Sequence, residues 1–179
     1  QDLSMDEEYQ ALCGVTQDEL ETIFAEPIKQ LATKYKLSVE EALCRLKERY
    51  DGYHFVENGI GIYNPFSLLN TFKRLQFGSY WFETGTPTYL VELLKQDNYR
   101  LPNLTKEVST ADVLNCIDTA SNNPIPVLYQ SGYLTIKSFD EEFGEYRLGF
   151  PNKEVEEGFT RFLLPYYTGL RNPETPFSM

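Results

Sequence analysis

Cysteine, histidine and tryptophan are scarce in this 179-residue chain: three, one and one. Cys13, Cys44 and Cys116 lie far apart with no Cys-x-x-Cys pair, so neither a zinc site nor a disulfide framework is indicated. Reduced thiols in a cytoplasmic protein are the plain reading. His54 stands alone, and a metal centre needs several convergent ligands, so it reads as a structural aromatic. No apolar run approaches the roughly 20 residues that span a bilayer. Gln1 to Tyr9 are acidic, unlike the basic-then-apolar start of a signal peptide. Basic residues are few and dispersed, 16 against 27 acidic ones, for a net charge of −11. That field repels a phosphate backbone, so direct nucleic-acid contact is not expected. A phosphate loop, a calcium loop and a nucleophile with a base beside it are all missing. The residues alone name no reaction, and no cofactor is expected in this chain itself.

Aromatics are plentiful, at 15% of the chain. They gather in Tyr50-Asp51-Gly52-Tyr53-His54-Phe55, in Ile62-Tyr63-Asn64-Pro65-Phe66, and in Tyr80-Trp81-Phe82-Glu83-Thr84-Gly85-Thr86-Pro87. A cluster such as Tyr50, Tyr53, Phe55 and Trp81 can stack on a sugar or base. It can equally plug a core where a helix turns into a hairpin, and burial of large rings favours the plug.

Helix signals dominate the first half. Thr16-Gln17-Asp18-Glu19 and Ser38-Val39-Glu40-Glu41 are capping boxes. Leu20, Ile23, Phe24, Ile28 and Leu31 recur at helical spacing, with Pro27 predicting a kink or two abutting helices. Ala42, Leu43 and Leu46 form the stripe of the next helix, which should end near Tyr50, because Asp51-Gly52 reads as a turn in which glycine supplies the left-handed conformation. Tyr53 to Ile62 reads as a hairpin around Asn58-Gly59. Asn64-Pro65 opens a helix carrying Phe66, Leu68, Leu69 and Phe72, with Gly78 as its stop. Thr86-Pro87 opens another. Gly85 permits close backbone approach, and free amides at such a helix start can face a phosphate, although the residues by themselves favour simple helix initiation.

The period changes later. Asn98 to Lys106 reads as a connector, Thr110 as the cap of a short helix, and Asn123-Pro124 as the start of a helix ending at Gly132. Tyr133–Lys137 and Tyr146–Phe150 alternate like strands around an acidic turn, Asp140 to Gly144. A last helix is predicted from about Asn152 to Tyr167, with Glu154, Glu156 and Glu157 favouring its dipole. The fold class is mainly α with small β-hairpins (α+β): a helical region over 1–97, a winged-helix-like unit over 98–171 and a tail over 172–179.

These stretches, in this order, resemble the bacterial group of AAA-ATPase-like proteins that carry a C-terminal PD-(D/E)XK nuclease-like domain. The resemblance rests on Leu3 to Asp6, Tyr9 to Thr16, Glu19-Leu20, Tyr50 to Phe55, Tyr63 to Asn70, Tyr80 to Pro87, Tyr129 to Ile136 and Pro151 to Val155. It implies that the phosphate loop and acidic strand belong upstream, that residues 1–97 are the end of the ATPase module with its helical lid and 98–171 a winged-helix-like linker, and that the nuclease-like domain lies downstream. ATP and Mg²⁺ would then be cofactors of the parent protein, with Gly85, Thr86 and Pro87 beside the nucleotide. The partners implied are the ATPase core and the nuclease-like domain of the same polypeptide, with no membrane partner. The expectation is a non-catalytic coupling segment. The alternative is a protein- or glycan-binding module that uses exposed aromatics.

Overall fold

The computed structural model describes residues 11, 13–54, 59–81, 108–114 and 123–168, without the side chains of 162–168. Gly85, Thr86, Pro87, Phe55 and the helix expected after Pro87 lie outside the described residues. Within them the fold is α+β. Helices α1 (Gln17–Ile23), α2 (Ala25–Tyr35), α3 (Val39–Tyr50) and α4 (Pro65–Arg74) come first. Then come β1 (Val108–Ser109), α5 (Ala111–Leu114), α6 (Ile125–Gln130), β2 (Thr135–Asp140), β3 (Glu145–Gly149) and α7 (Lys153–Thr168).

Both capping boxes form. Thr16 Oγ1 and Ser38 Oγ accept from the amides of Glu19 and Glu41, and each glutamate accepts from its cap's own N–H. The break near Pro27 falls at Phe24, giving two abutting helices. A proline cannot donate to the carbonyl four residues back, and its ring crowds that carbonyl, here Ile23. The break swings Ile23 off the buried stripe, and it is 66% exposed. Asn64 caps α4, its Oδ1 accepting from Phe66 and Ser67 N–H.

Three helices end alike. At α2, α4 and α6 the N–H groups of the two residues past the last turn fold back onto helix carbonyls, the closure that needs a left-handed residue. Gly132 supplies it at α6, with φ +77. Lys36 and Leu75 supply it elsewhere, with φ +56 and +47. The expected stop of α4 at Gly78 is thus replaced by Leu75, three residues earlier.

Two cores result. The first gathers Leu20, Ile28, Leu31, Ala42, Leu46 and Leu68 from the four leading helices. The second gathers Leu114, Leu128, Leu134, Ile136, Leu148 and Phe159. The described elements of the second half include the expected helix, helix, strand, turn, strand and helix in that order, preceded by a short strand, β1, that the residue pattern did not predict. The three-stranded antiparallel sheet runs β1-β3-β2. The two-residue strand β1 pairs with β3, on residues just past the connector read at Asn98 to Lys106. The hairpin strands run two to three residues later than Tyr133–Lys137 and one earlier than Tyr146–Phe150.

The β2–β3 pairing shifts register between Ile136 and Ser138. This irregularity sets Lys137 apart, and its Nζ donates to the Pro151 carbonyl at 3.1 Å. The acidic turn is exposed and is closed by Asp140 Oδ1 accepting from Glu142 and Phe143 N–H. The hairpin read over Tyr53 to Ile62 is represented by one antiparallel bridge between those two residues; its tip lies outside the described residues. No helix among them is long and apolar enough to cross a membrane.

Candidate functional site at the joint between the cores

The aromatic motif runs from one core into the other. Tyr50 closes α3 and is fully buried in the first core. Its hydroxyl accepts from Gly78 N–H and donates to Gly78 O, both at 3.0 Å. Asp51 ends the helix in extended conformation, its N–H on Lys47 O. Gly52 then takes φ +104, and a Cβ there would lie 2.3 Å from the Pro151 carbonyl oxygen. Glycine was read as a turn residue here; the structure shows that it admits the backbone leading into α7.

Tyr53 crosses to the second core and packs against it. Its ring and that of Trp81 both lie 3.6 Å from where a Cβ on Gly132 would stand. His54 exchanges a pair of bonds with Thr135: its N–H donates to Oγ1 at 2.8 Å, and Oγ1 donates to its carbonyl at 3.0 Å. One hydroxyl cannot use its single proton twice, but it accepts with a lone pair while donating. Burial, with the nearby Lys137 ammonium, holds the imidazole below the usual histidine range, opposed by Asp51. Burial likewise pushes the phenol of Tyr53 up, and that of Tyr133 to about 12.

Glu154 is the group that the sequence reading undervalued. It was assigned only to the helix dipole, yet its side chain is fully buried. Oε2 accepts from Ser67 Oγ of α4 at 2.7 Å, and Oε1 accepts from the N–H groups of Tyr80 at 2.6 Å and Trp81 at 3.2 Å. Burial raises its pKa above the ordinary carboxylate value, against the pull of Ser67, both amides and the Arg49 cation. A faint signal existed. Residues 154, 155, 158 and 159 share one face of a helix, and that face holds Val155 and Phe159.

Ser67 explains a second departure. α4 turns Ser67, Leu68 and Thr71 inward, while Phe66 and Leu69 are 43% and 55% exposed. The buried carboxylate needs a hydroxyl on that face, and an unpaired charge there would be costly.

The glutamates following Glu154 diverge. Glu156 is exposed. Glu157 pairs with Arg49 of α3 at 2.8 Å, and Lys153 pairs with Glu48 of α3 at 2.7 Å. Chemically this is a locked joint. Its carboxylate is sealed from solvent and spent on main-chain donors, so it organises backbone rather than offering a reachable acid or base. Tyr80 is 3% exposed, and Trp81 packs at 4.9 Å on Tyr133. The described members of the aromatic motif therefore face inward, not out as one recognition patch. Among the described residues, no group of three or more His, Cys, Asp or Glu side chains is placed to hold a metal ion. Two shallow cavities of about 360 and 300 Å³ open along the sheet, both bordered by Val108 and Glu145 and neither lined by the motif.

No family model matches this chain, and no solved structure does. A protein of Azotobacter chroococcum mcd 1, described as "uncharacterized protein in vnfD 5′ region", is 34% identical over 168 residues. The match covers 93% of this chain and 30% of the relative, so the chain spans less than a third of the length of the protein it resembles.

Proposed function

We propose that this chain is a non-catalytic coupling segment of a larger AAA-ATPase-like protein, working in the cytoplasm between an ATPase core and a nuclease-like domain. The observation that carries this reading is the clamp of Glu154 on Tyr80 and Trp81. Those residues stand five and four positions before Gly85-Thr86-Pro87, the segment that the resemblance puts beside a nucleotide. Glu154 stands in the first turn of α7, the helix that leads on toward the nuclease-like domain in that family. Displacement at one end is passed to the other through a hydrogen-bonded carboxylate and the α3–α7 ion pairs. Nucleotide acts in such a device by preferring one arrangement over another.

The limited coverage of the Azotobacter relative supports the reading, since that protein has ample length for further domains. ATP and Mg²⁺ are assigned to the parent protein, because most triphosphate affinity resides in a phosphate loop with its Lys and Mg²⁺. Recognition of a protein or glycan through exposed aromatics draws no support from Tyr53, Tyr80 and Trp81, which are used internally.

Two measurements test the proposal. The purified chain is expected to neither hydrolyse ATP nor cleave DNA, and turnover of either refutes it. The full reading frame is expected to encode a Gly-Lys-Ser phosphate loop upstream and a PD-(D/E)XK pattern downstream. A frame lacking both removes the coupling role.

A further inference from the structure

Residues 77–81 pass between the two cores in an unusual way. Four of their five main-chain N–H groups go to side chains rather than to a neighbouring strand. Phe77 N–H donates to Tyr35 Oη of α2 at 3.3 Å, and Gly78 N–H to Tyr50 Oη of α3 at 3.0 Å. Tyr80 and Trp81 N–H donate to Glu154 of α7. The fifth residue, Ser79, receives an Arg49 guanidinium N–H on its Oγ at 3.4 Å. Three helices thus hold one short segment by their side chains. Part of its own packing is local: the Tyr80 hydroxyl donates to Gln76 O at 2.6 Å, and the Arg74 guanidinium lies 4.9 Å over its ring.

We propose that residues 77–81 are a strap that opens as a unit while both cores stay folded, and that the charge on Glu154 sets how often it opens. The closed strap completes the seal over the carboxylate. Opening it lets water reach Glu154 and replace the two amides. A buried charge gains more from that rehydration than a neutral group does. The neutral acid also keeps every closed contact. Its carbonyl oxygen accepts from Tyr80 and Trp81, and its hydroxyl donates to Ser67 Oγ, which reverses its role.

The charged and titratable groups around Glu154 come from several elements. Arg49 and Tyr50 face it from α3, and Tyr53 from the following segment. Glu157 of α7 occupies the far side of Arg49, and Lys153 is held by Glu48. Of the groups that bond the strap itself, Arg49 remains cationic and the tyrosines neutral through the acid and neutral range, so Glu154 is the member whose charge can change there. The direction follows from burial. The closed state binds the Glu154 proton more tightly than the open, hydrated one. Closure is therefore strongest below the ordinary carboxylate pKa and weakens as pH rises through the raised value.

The test uses the whole chain without nucleotide, so its result is separate from that of the coupling reading. Protection factors for the amides of 77, 78, 80 and 81 are measured by hydrogen exchange between pH 5 and 8, corrected for intrinsic rates. Acrylamide quenching of Trp81, the single tryptophan, is followed in parallel. Strap protection is expected to fall several-fold with rising pH in the native chain and to stay level in Glu154→Gln, whose amide reproduces the neutral acid's bonds. Amides in the interiors of α2 and α3 are expected to hold their protection throughout. Glu154→Ala is expected to lose strap protection at least ten-fold at every pH. The inference is overturned if strap amides exchange only with the cores, or if the native chain and Glu154→Gln show the same pH profile. Those two proteins decide the matter even if the alanine variant does not fold.

Discussion

Gly52 and Gly132 are both glycines at positive φ beside the joint, yet their surroundings separate them. Gly52 faces a carbonyl oxygen of the backbone entering α7, which cannot yield without moving the helix; Gly132 faces two aromatic rings at ordinary contact distance. Gly52→Ala therefore combines left-handed strain with a main-chain collision and should cost roughly 2–4 kcal/mol. Gly132→Ala should cost about 1–2 kcal/mol, from conformation alone. Urea unfolding of the two variants checks the ranking, and equal losses would remove the close-approach account of Gly52. At this scale the sequence marked Gly52 and Gly132 as special through the Asp-Gly pair and the change of period. It did not mark Glu154. Three glutamates at a helix start are equivalent until packing chooses one, and only the interhelical geometry buries Glu154, pairs Glu157 and leaves Glu156 outside.

Local chemistry specified the elements well where both partners lie within four residues. The capping boxes, the Asn64 cap and the Asn152 cap, whose Oδ1 accepts from Val155 N–H, are contacts of that range. Ser38→Ala should cost about 1 kcal/mol, within the range for lost N-caps. Lys36 offers the opposite case, since it holds the left-handed position that glycine fills at α6. Lys36→Gly should raise stability by roughly 0.5–1 kcal/mol, as relief of strain exceeds the added flexibility of the unfolded chain. Thermal melts of both variants decide these signs, and a destabilised Lys36→Gly would show that the lysine makes compensating contacts. The stop of α4 was misplaced because Gly78 looked like the natural terminator. Its place is instead within the strap, bonded on both its N–H and its carbonyl to Tyr50. A Cβ there would meet the Tyr80 ring at 2.8 Å.

At the scale of the molecule, two cores are tied by Tyr50–His54, by the Glu154 cluster and by the α3–α7 ion pairs. Such cross-ties should make global unfolding one transition. Trp81 fluorescence, which reports the strap's packing on Tyr133 of the second core, and far-UV circular dichroism, dominated by the helices, are expected to give coincident urea midpoints in the native chain. Separate midpoints would mean that the halves are independent domains and that the joint transmits little. The ion pairs are the weaker ties. Arg49–Glu157 is the more sheltered, with Arg49 20% exposed against 44% for Lys153 in the other pair, so it carries more of the coupling.

The amino-acid order alone determined the elements and their class: caps, prolines and residue period act over a few positions, and they set an α+β chain with helices leading and a small sheet following. It also established the strong negative field, since charge is a sum that needs no geometry. The tertiary structure alone decided where the aromatics point, which glutamate is buried and how the two halves meet. Those outcomes depend on groups far apart in the chain, such as Tyr50 with Gly78, 28 residues on, and Arg49 with Glu157, 108 residues on. No local pattern encodes such meetings; desolvation and packing select them once the chain has closed on itself.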